Sequence, residues 1–451
     1  MQTSRARLLH ESLRRYLRRE AWDHLDKLID KTRDEELAMV MTSMTEEMQR
    51  SIFARLPSDT RKASVIVQME PPFGKWVLDP LPATEAASIL AEMASDDMAD
   101  IIADLSEALQ EAVLAILESE EAEEVETLMQ YGEETAGGIM VPEFIALKAD
   151  NTAQEALEML RESADVEMVY YIYVVDEPGH LVGVLSLRKL VTARPTTRVS
   201  EIMEGDVIRV AVDTDQEEVA KLVGRYAFLA IPVVDDANVL VGVVTVDDII
   251  EVIRDEATED MLKMAGAGTD LIETKGVGRN VRVRFPWLLA SCAGGLIAAA
   301  GMGIFEAALQ QEVFFAFFLP LVLGVSGNVG TQAATVTVRA LAVGQIAHAD
   351  KSWEVVRREF LIGVILGVLY GVAIGGIAAL FAGNPNYAIA IGLSVAAGMI
   401  ISNVIGTSVP MVLDKLSIDP AVATGPILTT SVDIIGVFTY FGIVGLFAGW
   451  F

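Results

Sequence analysis

Residues 421–451 read AVATGPILTTSVDIIGVFTYFGIVGLFAGWF, and the one charged side chain among them is Asp433. Crossing a bilayer takes ~20 apolar residues, and this stretch is long enough. An ionised carboxylate in such a helix is expensive and normally faces the bundle interior or a water-filled path. The helical period sets Thr429, Thr430, Gly436 and Tyr440 on the side of Asp433. Gly425 and Pro426 lie further back, where they loosen the backbone. An acid among hydroxyls and small residues has the chemistry of a cation site in a pore. The alternative is an acid paired with a base or held protonated. No Lys or Arg lies deep in any other apolar segment to supply that pair.

The rest of the chain must position this residue. Hydrophobic residues make up 52% of the 451, yet the formal net charge is −30. The two figures are compatible only if charge is segregated. From Val283 onward there are eight Asp and Glu and six Lys and Arg. Subtracting these from the totals of 64 and 34 leaves 56 and 28 before it, a net of −28. A strongly acidic soluble part therefore precedes a nearly neutral membrane part. Such a field repels nucleic acid and attracts cations. The single Cys292 excludes a disulfide framework, and the polar, Arg-rich start shows no signal peptide.

Residues 1–135 carry apolar residues at helical spacing, with Pro only at turns. Leu81, Met93, Leu105 and Leu117 recur every twelve residues, and Pro82, Ser95 and Ser106 follow such positions as helix starters. The spacing predicts a superhelix of short helices. Asp96, Asp97 and Asp100 crowd one helix start. Capping and dipole compensation account for them as well as a divalent ion does. The basic run Arg14, Arg15, Arg18 and Arg19 reads as a solvated helix face, or one lying near anionic head groups.

An internal repeat follows. Residues 171–191 read YIYVVDEPGHLVGVLSLRKLV and residues 230–250 read AIPVVDDANVLVGVVTVDDII. Each is a strand, a tight turn, a second strand and a helix start, preceded by a helical stretch at 152–162 and at 215–226. The pair resembles CBS domains, which stack as a regulatory module. In many of them a Ser/Thr-x-x-Asp after the second strand holds a ribose. The second copy keeps it as Thr245 and Asp248; the first has Ser186 followed by Lys189.

A continuous helical pattern over 247–264 leads towards the membrane part, loaded with Asp248, Glu251, Asp255, Glu256, Glu259 and Asp260. Like charges at i,i+3 and i,i+4 cost a helix ~0.2–0.5 kcal/mol per pair. Asp213, Asp215, Glu217 and Glu218 add acid nearby in sequence. Hard oxygen ligands suit magnesium or calcium, and a solvated acidic face is the plainer alternative.

Five spans are readable, approximately 285–308, 313–341, 359–382, 387–413 and 421–449. Arg279, Arg282 and Arg284 precede the first; Lys351, Arg357 and Arg358 lie between the second and third; Lys415 lies between the fourth and fifth. The loops at 309–312 and 383–386 have no Lys or Arg. Basic residues mark the cytoplasmic side, so the N-terminus is expected inside and the C-terminus outside. Pro320, Gly324, Gly327, Asn328 and Gly330 argue against an uninterrupted second helix. Ser402, Asn403, Gly406 and Pro410 in the fourth serve helix–helix adhesion or pore lining equally well.

Taken together the chain resembles the MgtE magnesium transporter family over essentially its whole length. The carrying motifs are Gly327-Asn328-x-Gly330-x-Gln332 in the second span, and Asp419-Pro420-Ala421, Gly425-Pro426, Thr429-Thr430 and Asp433 at the fifth. The resemblance implies three fold classes in one chain: an α-helical superhelix N domain, an α/β CBS-domain pair and an all-α five-helix transmembrane domain. The expected boundaries are 1–135, 136–200, 201–254, a connecting plug helix at 255–282, and 283–451. It implies a multi-pass protein of the cell (inner) membrane, a homodimer with its pore at the subunit interface, and no enzyme. It implies Asp433 as the magnesium site, lined by Gly327, Asn328, Gly425 and Thr429. Cytoplasmic magnesium would be sensed by Asp215, Glu217, Asp248, Glu251, Glu256, Glu259 and Asp260, with Glu92 and Asp96 from the N domain. Thr245 and Asp248 would hold an adenine nucleotide.

The expected activity is magnesium uptake down the electrochemical gradient, closed by cytoplasmic magnesium. Its rival is an ion-coupled secondary transporter of Mg2+, Mn2+ or Co2+ with Asp433 as the titrating carrier. A nucleotide-binding enzyme is a third reading. His10, His24, His180 and His348 are scattered and form no catalytic constellation, and no Walker A pattern is present.

Overall fold

A computed structural model describes residues 2–69, 72–162, 170–266, 277–342, 346, 349–416 and 418–449. It comprises two compact units, Met1–Ile253 and Arg254–Phe451.

In the first unit α1 to α10 occupy Gln2–Arg18, Trp22–Ile29, Asp34–Met41, Glu46–Phe53, Asp59–Val67, Pro72–Leu78, Ala83–Leu90, Ser95–Asp104, Glu107–Leu114 and Ser119–Leu128. Helices of this length are marginal alone, so each depends on burying its apolar stripe. They do so against the next helix but one: α1 on α3, α3 on α5, α5 on α7 and α7 on α9, with α6 on α8 and α8 on α10. The result is the expected superhelix, cored by Leu25, Leu37, Ile52, Ile66, Leu78 and Ile89. Pro82 and Ser106 stand just before their helices. Ser95 does not: Ala94 holds that position, and the Ser95 hydroxyl donates to the Glu143 carboxylate, a stronger acceptor than any it would meet as a cap.

The repeat forms two sheets of one design. In the first, β1 (Ala146–Lys148) runs parallel to β2 (Tyr171–Val175), which pairs antiparallel with β3 (Leu181–Ser186). In the second, β4 (Val210–Ala211), β5 (Ala230–Val234) and β6 (Leu240–Thr245) repeat that order. Gly179 and Asn238 take the left-handed conformation at equivalent turn positions, the second being one of the few residue types that tolerate it. Helices α11 (Ala153–Glu162), α12 (Leu187–Thr192), α13 (Val199–Ile202) and α14 (Gln216–Tyr226) complete the pair. The connecting helix, α15, runs Val246–Met264 and so starts directly on the last strand. Residues 267–276 of the expected plug segment lie outside the described residues.

In the second unit α16 (Val277–Gly303), a short α17 (Glu306–Gln311), α18 (Phe314–Ala342), α19 (Ala349–Phe381), α20 (Pro385–Lys415) and α21 (Pro426–Ala448) follow, with a 3-10 turn at Pro420–Thr424 before the last. Five of them, α16 and α18 to α21, are long and apolar enough to cross a membrane. The last span begins at Pro426 rather than 421, and the first begins and ends several residues earlier than its apolar run suggested.

The expected break in the second span is overturned: α18 is one continuous helix through Pro320, Gly327, Asn328 and Gly330. The reason is the solvent. A glycine costs a helix ~1 kcal/mol, whereas each backbone group stranded in hydrocarbon costs several. The glycines serve close approach instead. α20 packs against α18, α19 and α21, and a Cβ at Gly406 would collide with the Gly330 carbonyl oxygen. Gly406→Ala is therefore expected to destabilise the bundle by about 1–3 kcal/mol, the usual cost of overpacking. The check is the thermal midpoint in detergent; an unchanged midpoint would mean that the two backbones do not cross this closely.

Candidate cation sites

Asp433 lies on the third turn of α21 and is half-buried. Among the described residues no charged group acts on it. Of the residues expected on its side, Tyr440 is wholly buried and its hydroxyl donates to the Phe315 carbonyl at 2.7 Å, a packing role. Thr430 packs onto Gly294 of α16. Thr429 is exposed one turn before the acid, its hydroxyl turned back to the carbonyls of Gly425 and Pro426 at 3.3 and 3.4 Å. Gly425 joins the 3-10 turn to α21.

The neighbouring α18 fixes the depth. A Cβ at Gly330 would touch Val432, and one at Gly436 would meet Leu323. These two crossings of antiparallel helices bring Asn328 to about the level of Asp433. Asn328 is exposed and Gly327 half-buried. Gly324, Asn328, Thr331, Thr335 and Arg339 recur at intervals of three and four, and all five are exposed. They form a polar stripe on the outer face of a membrane-length helix.

The loop entering α21 is tied to the connecting helix. Lys263 of α15 bridges Glu259 and Asp419, each at 2.7 Å. Asp419 also accepts the Ala421 N–H at 2.7 Å. Burial works against the Lys263 ammonium, yet its hydrogen bonds to Asp419 and Glu259 outweigh it and hold the pKa above the ordinary lysine value. Glu259 thus already has a cation. Glu256 and Asp260 lie half-buried on the same helix.

The first unit holds a second concentration of acid, where the start of α8 meets the start of α15. Burial first, then Asp97 and Asp248, push Asp96 up to about 8. Burial, then Asp248, Asp100, Glu251 and Asp247, push Asp97 up to about 7. Burial, then Glu133, Asp104 and Glu251, push Asp100 up to about 6. Asp248 is raised by burial and by Asp247 and Glu251, against a hydrogen bond from Thr245. No base is among the charges acting on these four. Oδ1 of Asp96 and Oε2 of Glu143 are buried without a hydrogen bond. Such a group of carboxylates is strained at neutral pH unless protons or hard cations join it. Among the described residues no three of these side chains already close on one ion.

Three expected sensor residues stand elsewhere. Glu92 accepts the Thr60 hydroxyl at 2.6 Å. Asp215 caps α14 through the Glu217 N–H at 2.8 Å, and Glu217 pairs with Lys221 at 2.9 Å. Conversely Asp247, Glu133 and Glu143 were missed. Asp247 stands four residues before Glu251, so helical periodicity could have found it; Glu133 and Glu143 stand in loops and had no such signal.

Thr245 donates to Asp248 at 2.6 Å and to Asp247. In the first copy Ser186 caps α12, and Lys189, where the acid would be, pairs with Glu204 at 2.6 Å.

Comparison with known proteins agrees in order along the chain. The profile described as MgtE intracellular N domain matches residues 32–134, the CBS domain profile 136–195 and 199–255, and the profile described as divalent cation transporter 319–443. Fold and profiles together define a multi-pass membrane protein of the divalent cation transporter class that also carries a CBS pair. "Magnesium transporter MgtE" of Bacillus subtilis (strain 168) is 36% identical, covering 93% of both chains. That of Thermus thermophilus is also 36% identical, over 82% of this chain and 88% of its own. A crystal structure of "the cytosolic domain of the Mg2+ channel MgtE in complex with ATP" superposes with a TM-score of 0.51 at 38% identity, covering 54% of this chain and 99% of that one. The chain belongs to the MgtE family of magnesium transporters, a membrane transporter family and not an enzyme family.

Proposed function

We propose that this chain is a magnesium channel that admits Mg2+ down its electrochemical gradient and is closed by cytoplasmic Mg2+. The observation that carries the reading is Asp433 without a counter-charge, level with an outward-facing polar stripe on α18. Polar side chains facing hydrocarbon are costly and normally face protein or water. A second copy covering the stripe of Gly324, Asn328, Thr331, Thr335 and Arg339 resolves that cost and makes a homodimer with the pore between subunits. Asp433 of each copy then holds magnesium, with Gly327, Asn328, Gly425 and Thr429 lining the way. Magnesium gives up its water reluctantly, so both carboxylates act through retained waters. A divalent ion gains ~4.6 kcal/mol per 100 mV of inside-negative potential, twice the unit-charge value. No coupling ion is needed.

The acids between α8 and α15 are the sensor in this reading: Asp96 and Asp248, joined by Asp97 and Asp100, with Glu251. Asp215, Glu217 and Glu92 form outlying contacts, and Glu256, Glu259 and Asp260 act on the connecting helix. Glu259 takes magnesium only by giving up Lys263. Thr245 and Asp248 hold an adenine nucleotide after releasing one another, as the ATP complex of a relative's cytosolic domain supports. The acidic field leaves nucleic acid out as a partner.

Ionic current through the reconstituted protein, with magnesium titrated on each side, tests the whole. Current that requires sodium or a proton gradient would instead establish the coupled carrier. The Lys and Arg alternation supports a cytoplasmic N-terminus, with the domains 1–135, 136–200 and 201–254 on that side and the end of the five-span domain 283–451 outside. A C-terminal reporter that is active only in the cytoplasm is therefore expected to stay silent; a strong signal would overturn the orientation.

A further inference from the structure

The soluble part is acidic nearly everywhere, but not at its first helix. Residues 1–33 carry nine Lys and Arg against five Asp and Glu, while residues 34–282 carry 19 against 51. Leu9, Leu13 and Leu17 of α1 are buried in the superhelix core. The opposite face is open: Arg14, Arg15 and Arg18, with Arg19 just past the helix end, are exposed, as is Leu8 at 64%, and the Glu11 among them is already paired with Arg7 at 3.2 Å. Several other basic side chains of this unit are paired with acids, while others, such as Lys27, Lys31 and Arg33, are exposed singly among the described residues. Arg5 pairs with Glu36, Arg55 with Asp26, Arg61 with Asp34, and Lys62 with Asp59 and Glu85. Among the described residues none of the four arginines has a carboxylate partner; Arg15 merely lies over the ring of Tyr16.

We propose that this face of α1 docks on the anionic phospholipid head groups of the cytoplasmic leaflet. The membrane is necessarily close, because the same chain crosses it. Against an anionic leaflet a module of this net charge is repelled overall, and the arginine face, with four bases within six residues and no carboxylate partner among the described residues, favours an approach that turns α1 to the surface. Guanidinium groups suit phosphate through paired N–H donors, and each base near such a surface favours it about fivefold. The competing occupant is the acidic helix α10 of a second copy. That contact would join opposite ends of the superhelix, a head-to-tail arrangement that builds open chains rather than a closed dimer. The assignment to the cytoplasmic leaflet rests on the orientation proposed above. The test does not, since it uses symmetric bilayers.

Full-length protein is placed in nanodiscs of phosphatidylcholine alone, or with about 30% phosphatidylglycerol, and amide hydrogen exchange is followed across residues 2–18. Exchange of α1 is expected to slow about tenfold with the anionic lipid and to recover at high salt. Replacing Arg14, Arg15, Arg18 and Arg19 together by Gln should abolish the effect, and replacing them by Lys should keep most of it. Unchanged exchange in peptides from α3 and α5 checks that the variants fold. Equal exchange in both lipids overturns the proposal. Protection that ignores lipid but grows with the number of copies per disc overturns it too, in favour of a protein occupant.

Discussion

Asp433→Asn is expected to abolish magnesium flux while leaving the protein folded and assembled. The two side chains have nearly the same shape, and no ion pair among the described residues is broken by the exchange. What is lost is charge at the deepest acid of the chain. At an effective dielectric of ~20, a unit charge ~5 Å from a divalent ion is worth about 7 kcal/mol. Most of this is offset by the ion's dehydration. Losing even a quarter of it from each of two subunits lowers occupancy about a hundredfold or more. The measurement is uptake into liposomes loaded with a magnesium-sensitive dye, with Asp433→Glu as a charge-keeping comparison. Flux of wild-type size in the Asn variant would remove Asp433 from the pathway altogether. Flux lost equally in the Glu variant would assign the residue to packing rather than to charge.

Periodic patterns in the chain are legible as structure, whereas features decided by the solvent are not. The Val-Val-Asp…Leu-Val-Gly-Val repeat became two sheets of the same register, because alternation and a four-residue turn leave little other choice. The twelve-residue recurrence reappears as helices that start at 83, 95, 107 and 119. Asp433 was legible because a lone acid in an apolar run has few explanations. The continuity of α18 was not, since rules for Gly and Pro learned in water misjudge a helix that has no other hydrogen-bonding partner. Lys263–Asp419 was also invisible: 156 positions separate its partners, and neither stands in a pattern that points to the other. The sensor acids were named by position along the chain. The fold brings Asp96, Asp97, Asp100 and Asp248 near one another and gives Asp215 a capping hydrogen bond.

The triple variant Asp96→Asn, Asp97→Asn, Asp248→Asn is expected to keep conducting at cytoplasmic magnesium that closes the wild type, its inhibition midpoint raised about tenfold or more. Two effects of opposite sign meet here. Neutralising the acids removes their mutual repulsion, which favours the compact arrangement; it also removes the ligands that magnesium would bridge. Bridging dominates, because a ligand shifts an equilibrium only through its differential affinity for the two states, and the amides retain little of it. Protons provide an independent check. Asp96, Asp97 and Asp100 sit at about 8, 7 and 6 in the folded unit, against about 4 for an unfolded carboxylate. The folded unit therefore binds more protons between pH 4 and 8. Without a divalent ion its stability is greatest below pH 4 as far as these groups decide it, and it is lost as pH rises towards 8. Magnesium must displace those protons to bind, so its apparent affinity should rise from pH 6 to pH 8, up to about tenfold per unit for each proton released. Metal-free protein should thus resist protease better at pH 5.5 than at pH 8, and saturating magnesium should erase the difference. Open probability against cytoplasmic magnesium, recorded at both pH values for wild type and variant, decides the matter. A midpoint that moves with neither pH nor substitution would mean that the buried acids between α8 and α15 are not the sensor.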